Sequence, residues 1–141
     1  MRLPSPWNSY RQVALQTAAP GQLVLMLLEG SIRSLDKAET GFAIEDPAES
    51  NEIIHNNIQR AQDILHELNM ALNIQEGGKL AHTLRSLYEY MDRRLLESNT
   101  RKSIDGLVEV RKHLTTLRQA WYDMLHGNTP AESALPEMVA A

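Results

Sequence analysis

The sequence predicts an all-α fold: an antiparallel four-helix bundle with an N-terminal arm and a disordered C-terminal tail. Four segments carry apolar residues at alternating steps of three and four, which is the period of a buried helix face. No segment keeps the period of two that is typical of a strand. Aromatic residues make up only 5% of the 141 residues, and a core of Leu, Ile, Met and Ala favours helices. Short connections between the segments indicate antiparallel neighbours.

We expect the chain to divide into three parts. The first stretch has two prolines within its first six residues and no sustained apolar periodicity. The last stretch combines two further prolines with several alanines, a composition typical of disorder. The predicted parts are an N-terminal arm (1–16), a four-helix bundle (17–126) and a disordered tail (127–141).

The first helix is expected to begin near Pro20, because proline is tolerated in a first helical turn. Gln22 is placed to reach back toward that N-terminus. The run Leu23–Leu28 then presents apolar side chains on every face of the helix. Such a helix is either buried on several sides or keeps one side for a partner.

The second helix has the clearest start and the clearest periodicity in the sequence. Asp46 can cap its free amides, Pro47 suits the first helical position, and Glu49 lies at capping-box spacing. Its apolar residues recur at steps of four and three, which predicts the buried stripe of a bundle helix. That stripe comprises Ile54, Ile58, Ala61, Leu65, Leu68 and Leu72.

Two breaks delimit the last two helices. Gly77-Gly78 ends the second helix or its connecting loop, because glycine adopts positive φ at little steric cost. Asn99 and Thr100 mark the second break, and the fourth helix ends near Gly127. The third stripe comprises Leu80, Leu84, Leu87, Met91 and Leu95, and the fourth comprises Leu107, Val110, Leu114, Leu117, Trp121 and Met124.

Composition and charge exclude several classes of function. The net charge is −4, and the fourteen Lys and Arg are scattered among eighteen acids, whereas nucleic-acid-binding modules are usually basic. The absence of cysteine excludes disulfides, thiolate zinc sites and cysteine nucleophiles. The start lacks the apolar core of a signal peptide, and the longest apolar run is far below the ~20 residues that span a bilayer. We therefore expect a cytoplasmic protein without membrane insertion or a nucleic-acid partner.

An enzyme would need residue patterns that the sequence provides only in part. Nucleotide-binding glycine motifs and the Gly-x-Ser-x-Gly motif are absent. A di-metal centre in a bundle needs Glu-x-x-His pairs that point into the interior, but the heptad frame puts the candidates at exposed or flanking positions. These candidates are Glu52/His55, Asp63/His66 and Asp123/His126. We expect no catalysis, no cofactor and no metal; the alternative is a carboxylate/histidine metal-binding bundle.

Several apolar residues fall outside the four stripes. One exposed apolar residue is ordinary, but several on different helices can form grooves that accept an amphipathic helix. Alternatively, they pack under the arm or in a homodimer. If Ile64 lines such a groove, Ile64→Asp should spare the fold more than Leu65→Ala does. The candidate partner-binding residues are Leu23, Met26, Ile53, Ile64, Met70, Leu96 and Val108.

Spaced residues over about 10–125 carry a family likeness. They are Tyr10, Val13, Thr17, Pro20, Gln22-Leu23, Met26-Leu27, Gly30, Ile32, Ala61-Gln62, Ile64-Leu65, Glu67-Leu68, Leu72, Gly77-Gly78, Leu84, Leu87-Tyr88, Tyr90-Met91, Leu95, Asn99, Glu109-Val110, Leu117-Arg118 and Trp121. Their order and spacing resemble the FliS family of flagellar export chaperones. The chain departs from the family pattern at Leu28-Glu29, where Tyr-Asp is usual, and at Ala19, where serine is usual.

The resemblance implies a partner and a role. Members of this family form four-helix bundles, sometimes dimeric, that bind the C-terminal segment of flagellin in the cytoplasm. They prevent its premature polymerisation and deliver it to the flagellar type III export apparatus. The seven partner-binding candidates would then contact the client. The arm around a tyrosine is associated in the family with export-gate contact and with covering part of the client groove, and that role falls here on Tyr10.

Overall fold

The computed structural model of the protein describes residues 20–127, which form four helices. The predicted arm, residues 17–19 and residues 128–141 lie outside the described residues. The helices are α1 (Pro20–Gly41), α2 (Pro47–Met70), α3 (Ile74–Arg101) and α4 (Ile104–Leu125).

Each helix packs against two neighbours. α1 packs against α2 and α4, and α3 packs against the same two helices from the opposite side. The α1–α2 interface is the most extensive of the four and the α3–α4 interface the least extensive. The prediction of an all-α antiparallel four-helix bundle is confirmed.

Ion pairs along α1 and α4 show that these two helices run in opposite directions. Arg111 of α4 contacts both Asp36 (3.2 Å) and Glu39 near the end of α1. About two turns later in α4, Arg118 contacts Glu29, which lies earlier in α1; the two side chains are 3.0 Å apart. These pairs are partly exposed, so each adds little stability, but together they fix the register of the two helices.

The same interface is closed at its far end by Trp121. The Trp121 indole Nε1–H donates to the Gly21 backbone carbonyl, with 2.7 Å between nitrogen and oxygen. Trp121 is 5% exposed, so its ring is part of the core while its one polar group bonds to the first turn of α1. The last turns of α4 are thereby held against the start of α1.

The start of α2 lies where the sequence predicts it. Asp46 is the N-cap, and its carboxylate accepts a hydrogen bond of 2.9 Å from the Glu49 backbone N–H, with Pro47 at the first helical position. The Ser50 hydroxyl donates to the Gly41 carbonyl (2.7 Å), which joins the end of α1 to the first turn of α2.

The two predicted breaks differ from the observed ones in position. α2 ends at Met70, and α3 already begins at Ile74, so Gly77-Gly78 lies inside α3. Gly78 has φ 54° and ψ −129°, and it kinks α3 in a conformation that favours glycine. The second break comes later than predicted, because α3 continues to Arg101 and the chain reverses at Lys102, which has φ 51°.

The predicted stripe of α2 is confirmed, but that of α3 is partly wrong. All six predicted stripe residues are buried, but only five belong to α2, because Leu72 lies in the connection after the helix ends at Met70. On α3, Leu84, Met91 and Leu95 are buried, whereas Leu80 is 44% exposed and Leu87 is half-buried. Ala81 and Tyr88 take their places in the core. Each of these two residues lies one position later, about 100° around the helix from the predicted leucine, and together with Leu84, Met91 and Leu95 they form the buried face, with Leu80 and Leu87 at its edge.

Ile64 is not on the surface, and the prediction that it lies outside the core is wrong. Its side chain is 0% exposed. The heptad frame treats α2 as having one buried stripe, but α2 packs against both α1 and α3 and buries residues on both flanks. Its contact with α1 is close at Gly41, where an added Cβ would lie 2.8 Å from the Ile54 Cγ1.

A second close approach joins α3 and α4. A Cβ added to Gly106 would lie 2.6 Å from the Arg94 backbone carbonyl oxygen. Beside it, the buried Ser98 hydroxyl donates to the Ser103 carbonyl and accepts from the Leu107 N–H at 3.3 Å. Ser98 thus satisfies backbone groups of the turn that a purely apolar residue would leave unpaired.

We predict that Gly106→Ala lowers the free energy of unfolding by about 1–3 kcal/mol, because the new methyl group would overlap a backbone atom that cannot move alone. Gly21→Ala is the matched control. There an added Cβ would lie 2.9 Å from the Leu125 Cδ2, the end of a flexible side chain. Urea unfolding followed by circular dichroism checks both. An equal loss of stability in the two variants would contradict this explanation.

Leu65→Ala and Ile64→Asp should both destabilise the fold. We expect Leu65→Ala to cost about 2–5 kcal/mol through the cavity it leaves, and Ile64→Asp to cost at least as much because it buries a charge without a partner. Met70→Ala is the control, since Met70 is 82% exposed, and it should stay within about 0.5 kcal/mol of the parent. Chemical denaturation measures all three, and a fully stable Ile64→Asp variant would refute the core position of Ile64.

Burial of Tyr88 should make stability depend on alkaline pH. Burial raises the pKa of Tyr88 to about 12, from an ordinary value of 10.0. Above pH 10, Tyr88 ionises in the unfolded chain before it ionises in the folded one. Its contribution to the free energy of unfolding is therefore intact below that pH and is lost as the pH rises toward about 12. The loss for this group is about 2–3 kcal/mol. Unfolding measured across this range should show a shallower decline for Tyr88→Phe than for the parent, and identical declines would contradict the prediction.

Candidate functional site

Three of the predicted partner-binding residues are exposed apolar side chains. Met70 is 82% exposed, Leu96 57% and Val108 41%. Leu23, Met26 and Ile53 are half-buried, and Leu23 packs against the core. Only Ile64 is fully enclosed. The exposure of Met70, Leu96 and Val108 therefore agrees with the sequence analysis, whereas their role in binding a partner stays a prediction.

Two further large apolar side chains are exposed that the sequence analysis did not select. Leu80 was assigned to the core, and Leu125 (37% exposed) was not assigned at all. Leu125 is the last residue of α4, so its position at a helix end, after the final stripe residue Met124, is the signal that could have identified it.

The exposed side chains do not converge on one groove. The end of the bundle where α1 begins, here called the entry end, also contains the last turn of α2, the first turns of α3 and the last turn of α4. Met70, Leu80 and Leu125 lie at this end. Leu96 lies near the end of α3 and Val108 near the start of α4, so both lie toward the opposite end.

A set of half-covered apolar residues lies on α3 and α4 toward the entry end. It consists of Leu80 and Leu87 on α3 and Leu117 and Met124 on α4, all predicted as core residues; the last three pack against the core while staying partly exposed. We call it the α3–α4 strip.

Farther along, the same two helices are joined by a polar cluster around Glu109. The Tyr90 hydroxyl and the Arg94 Nε–H donate to its two carboxylate oxygens at 2.5 Å and 2.8 Å. The bond from Tyr90 and then the bond from Arg94 hold the pKa of Glu109 below its ordinary value. The bond to Glu109 also raises the pKa of Tyr90. His113 adds a contact of 3.4 Å to Glu109. The cluster joins α3 to α4, and its polar groups are occupied with one another.

Between α2 and α3 lies a half-open groove of about 370 Å³. Its wall contains apolar, aromatic and charged side chains, so it differs in character from the α3–α4 strip. The lining residues are Leu65, His66, Asn69, Tyr88, Glu89, Asp92 and Arg93. We call it the α2–α3 groove.

The candidate metal ligands are not brought together. Glu52 and His55 are exposed on α2, and the His55 Nδ1 lies 2.9 Å from the Asn99 side-chain nitrogen. The His126 ring instead stacks on Tyr122 with 4.0 Å between centroids. Within residues 20–127, no three His, Asp or Glu side chains are grouped so that they could hold a metal ion.

Two other predictions concern the export-gate contact at Tyr10 and the absence of membrane insertion. Tyr10, the residue expected to contact the export gate, lies outside the described residues. For the described helices, none combines the length and apolar character needed to cross a membrane.

The chain is similar in sequence to known proteins over a range that includes all four helices. A family model described as "Flagellar protein FliS" matches residues 4–128. The flagellar secretion chaperone FliS of Bacillus subtilis strain 168 is 34% identical over 121 residues, which cover 86% of this chain and 86% of that protein.

Two further relatives are similar over comparable lengths. The flagellar secretion chaperone FliS of Salmonella typhimurium LT2 is 32% identical over 119 residues, covering 81% of this chain and 85% of that protein. The flagellar secretion chaperone FliSB of Pseudomonas aeruginosa PAO1 is 32% identical over 123 residues, covering 84% and 94%. Because the family match spans nearly the whole chain and includes all four helices, the chain belongs to the FliS family of flagellar proteins.

Proposed function

We propose that the protein is a cytoplasmic export chaperone that binds the C-terminal segment of flagellin. In this proposal it prevents premature polymerisation of flagellin and delivers it to the flagellar type III export apparatus. The relatives named flagellar secretion chaperones support a role in secretion. The observation that carries the binding proposal is the set of large apolar side chains left exposed on a bundle whose core is otherwise closed.

The exposed set favours one side of the bundle. Met70 belongs to α2, Leu80 and Leu96 to α3, and Val108 and Leu125 to α4, whereas no large apolar side chain of the described part of α1 is exposed to this degree. We propose that the client packs along α3 and over the α3–α4 strip. The half-buried residues Leu23, Met26 and Ile53 are secondary candidates.

The physical chemistry of such a client suits a surface of this kind. A segment that is disordered when free must be ordered on binding, which costs free energy. Apolar contacts distributed over a long surface offset that cost without requiring deep pockets. Leucine and methionine side chains also adapt their shape to a partner helix. Binding of this kind needs no cofactor and no catalytic step.

The remaining partners are part of the proposal as well. We propose that the segment around Tyr10 contacts the flagellar export gate. A homodimer, expected from the behaviour of the family, would use the same exposed apolar side chains, so client and second copy would compete for them.

The proposed function predicts that a peptide with the C-terminal sequence of flagellin binds the full chain and becomes helical. Calorimetry should show heat on mixing, and circular dichroism should show more helix than the sum of the two components. A scrambled peptide of the same composition is the control. No heat together with no added helix would overturn the proposal.

Variants localise the client. Leu96→Asp should weaken binding of the peptide by about tenfold or more, because it puts a charge into an apolar contact. Thr115→Asp makes the same charge change at an exposed position of α4 whose hydroxyl bonds only within its own helix, to the Arg111 carbonyl, and it should bind normally. Equal effects of the two substitutions would contradict a path along α3.

A further inference from the structure

The α2–α3 groove contains a carboxylate oxygen that lacks a hydrogen-bond donor. The Asp92 Oδ1 is buried and has no hydrogen-bond partner among the described residues. The His66 Nε2 lies 3.5 Å from it, beyond the range of about 2.7–3.2 Å that is typical of an N–H···O bond. A buried carboxylate oxygen without a donor is unfavourable, so this atom favours any ligand that supplies one.

The side chains around that oxygen can admit such a ligand. The His66 side chain is 61% exposed, so its ring can rotate away from Asp92 at little cost. The Asp92 side chain itself is 32% exposed, which leaves part of the carboxylate reachable from solvent. A volume of about 370 Å³ lies within the range of ligand-binding pockets, which is about 300–1,000 Å³.

The walls of the groove suit a side chain with an apolar stem and a planar cationic head. Leu65 and Tyr88, both buried to more than nine-tenths, form the apolar and aromatic floor of the groove. The pKa of Tyr88 is raised to about 12 by burial, so its hydroxyl stays neutral and retains its proton. Glu89 and Asp92 contribute two carboxylates to the lining beside the guanidinium of Arg93, and the Arg85 guanidinium is held at the rim by its 3.2 Å bond to the Asn69 side-chain oxygen.

We propose that the α2–α3 groove binds an arginine side chain of a protein partner, with the guanidinium on Asp92. A guanidinium offers several N–H donors in one plane and stacks on aromatic rings, whereas an ammonium does neither. The methylene stem would pack on Leu65 and Tyr88. The exposed Met70 and Leu96 lie on the same two helices, where they can contact apolar residues on either side of that arginine.

An arginine site in this groove does not require flagellin to be the client. It provides a polar anchor beside the apolar surface, and any partner that carries a suitably placed arginine could use it. Its test therefore uses small probes rather than the peptide, so that failure of one proposal leaves the other standing.

The test is a titration of the isotope-labelled full chain with N-acetylarginine amide, followed by amide chemical shifts. We expect shifts at Leu65, Asn69 and Asp92. The neutral isostere N-acetylcitrulline amide should bind about tenfold more weakly, because it lacks the charge that strengthens a bond to a carboxylate. Asp92→Asn should weaken arginine binding by a similar factor. Asp63→Asn, at an exposed position of α2 outside the groove, is the matched control.

Three results would overturn the proposal. The first is no shift in the groove at the highest soluble probe concentration. The second is equal binding of the arginine and citrulline probes, which needs no variant and so holds even if Asp92→Asn fails to fold. The third is stronger binding of N-acetylglutamate amide, which would make Arg93 the anchor of an anion site instead.

Discussion

The close approach of helix backbones at two glycines is the constraint on which the rest of the bundle depends. Gly41 brings the end of α1 against Ile54 of α2, and Gly106 brings the start of α4 against Arg94 of α3. At Gly106 the limiting atom is the Arg94 carbonyl oxygen, and at Gly41 it is the buried Ile54 side chain, so neither neighbour has room to move aside. Both contacts lie away from the entry end. These two close contacts lie at one end of the bundle, and the half-covered apolar residues lie toward the other.

The number, order and class of the elements could be predicted because their signals are local. Asp46 and Pro47 identify a helix start by the chemistry of a single turn. The phase of α3 could not be predicted in this way, because leucine at positions 80 and 87 is a stronger apolar signal than the alanine and tyrosine that follow. Ile64 was misplaced for a different reason. A heptad frame describes one buried stripe, whereas a helix with two neighbours buries both flanks.

The candidate site was predictable in its composition but not in its arrangement. Exposure of Met70, Leu96 and Val108 follows from their positions outside the stripes, and the structure agrees. Their distribution over both ends of the bundle depends on helix lengths and turns that the apolar pattern does not encode. The α2–α3 groove was missed because His66 and Asp92 occupy polar flanking positions that, in sequence, look the same as solvated ones.

The bond between the Trp121 indole and the Gly21 carbonyl has a practical consequence for work with this protein. It holds the last turns of α4 beside the first turn of α1, so Pro20 and Leu125, the outer ends of the first and last helices, lie at the same end of the bundle. Met70, Leu80 and Leu125 lie at that same end, so a group attached at the first turn of α1 or the last turn of α4 can obstruct this surface. A probe attached in the connection at 42–46, at the opposite end, leaves this surface free for binding measurements.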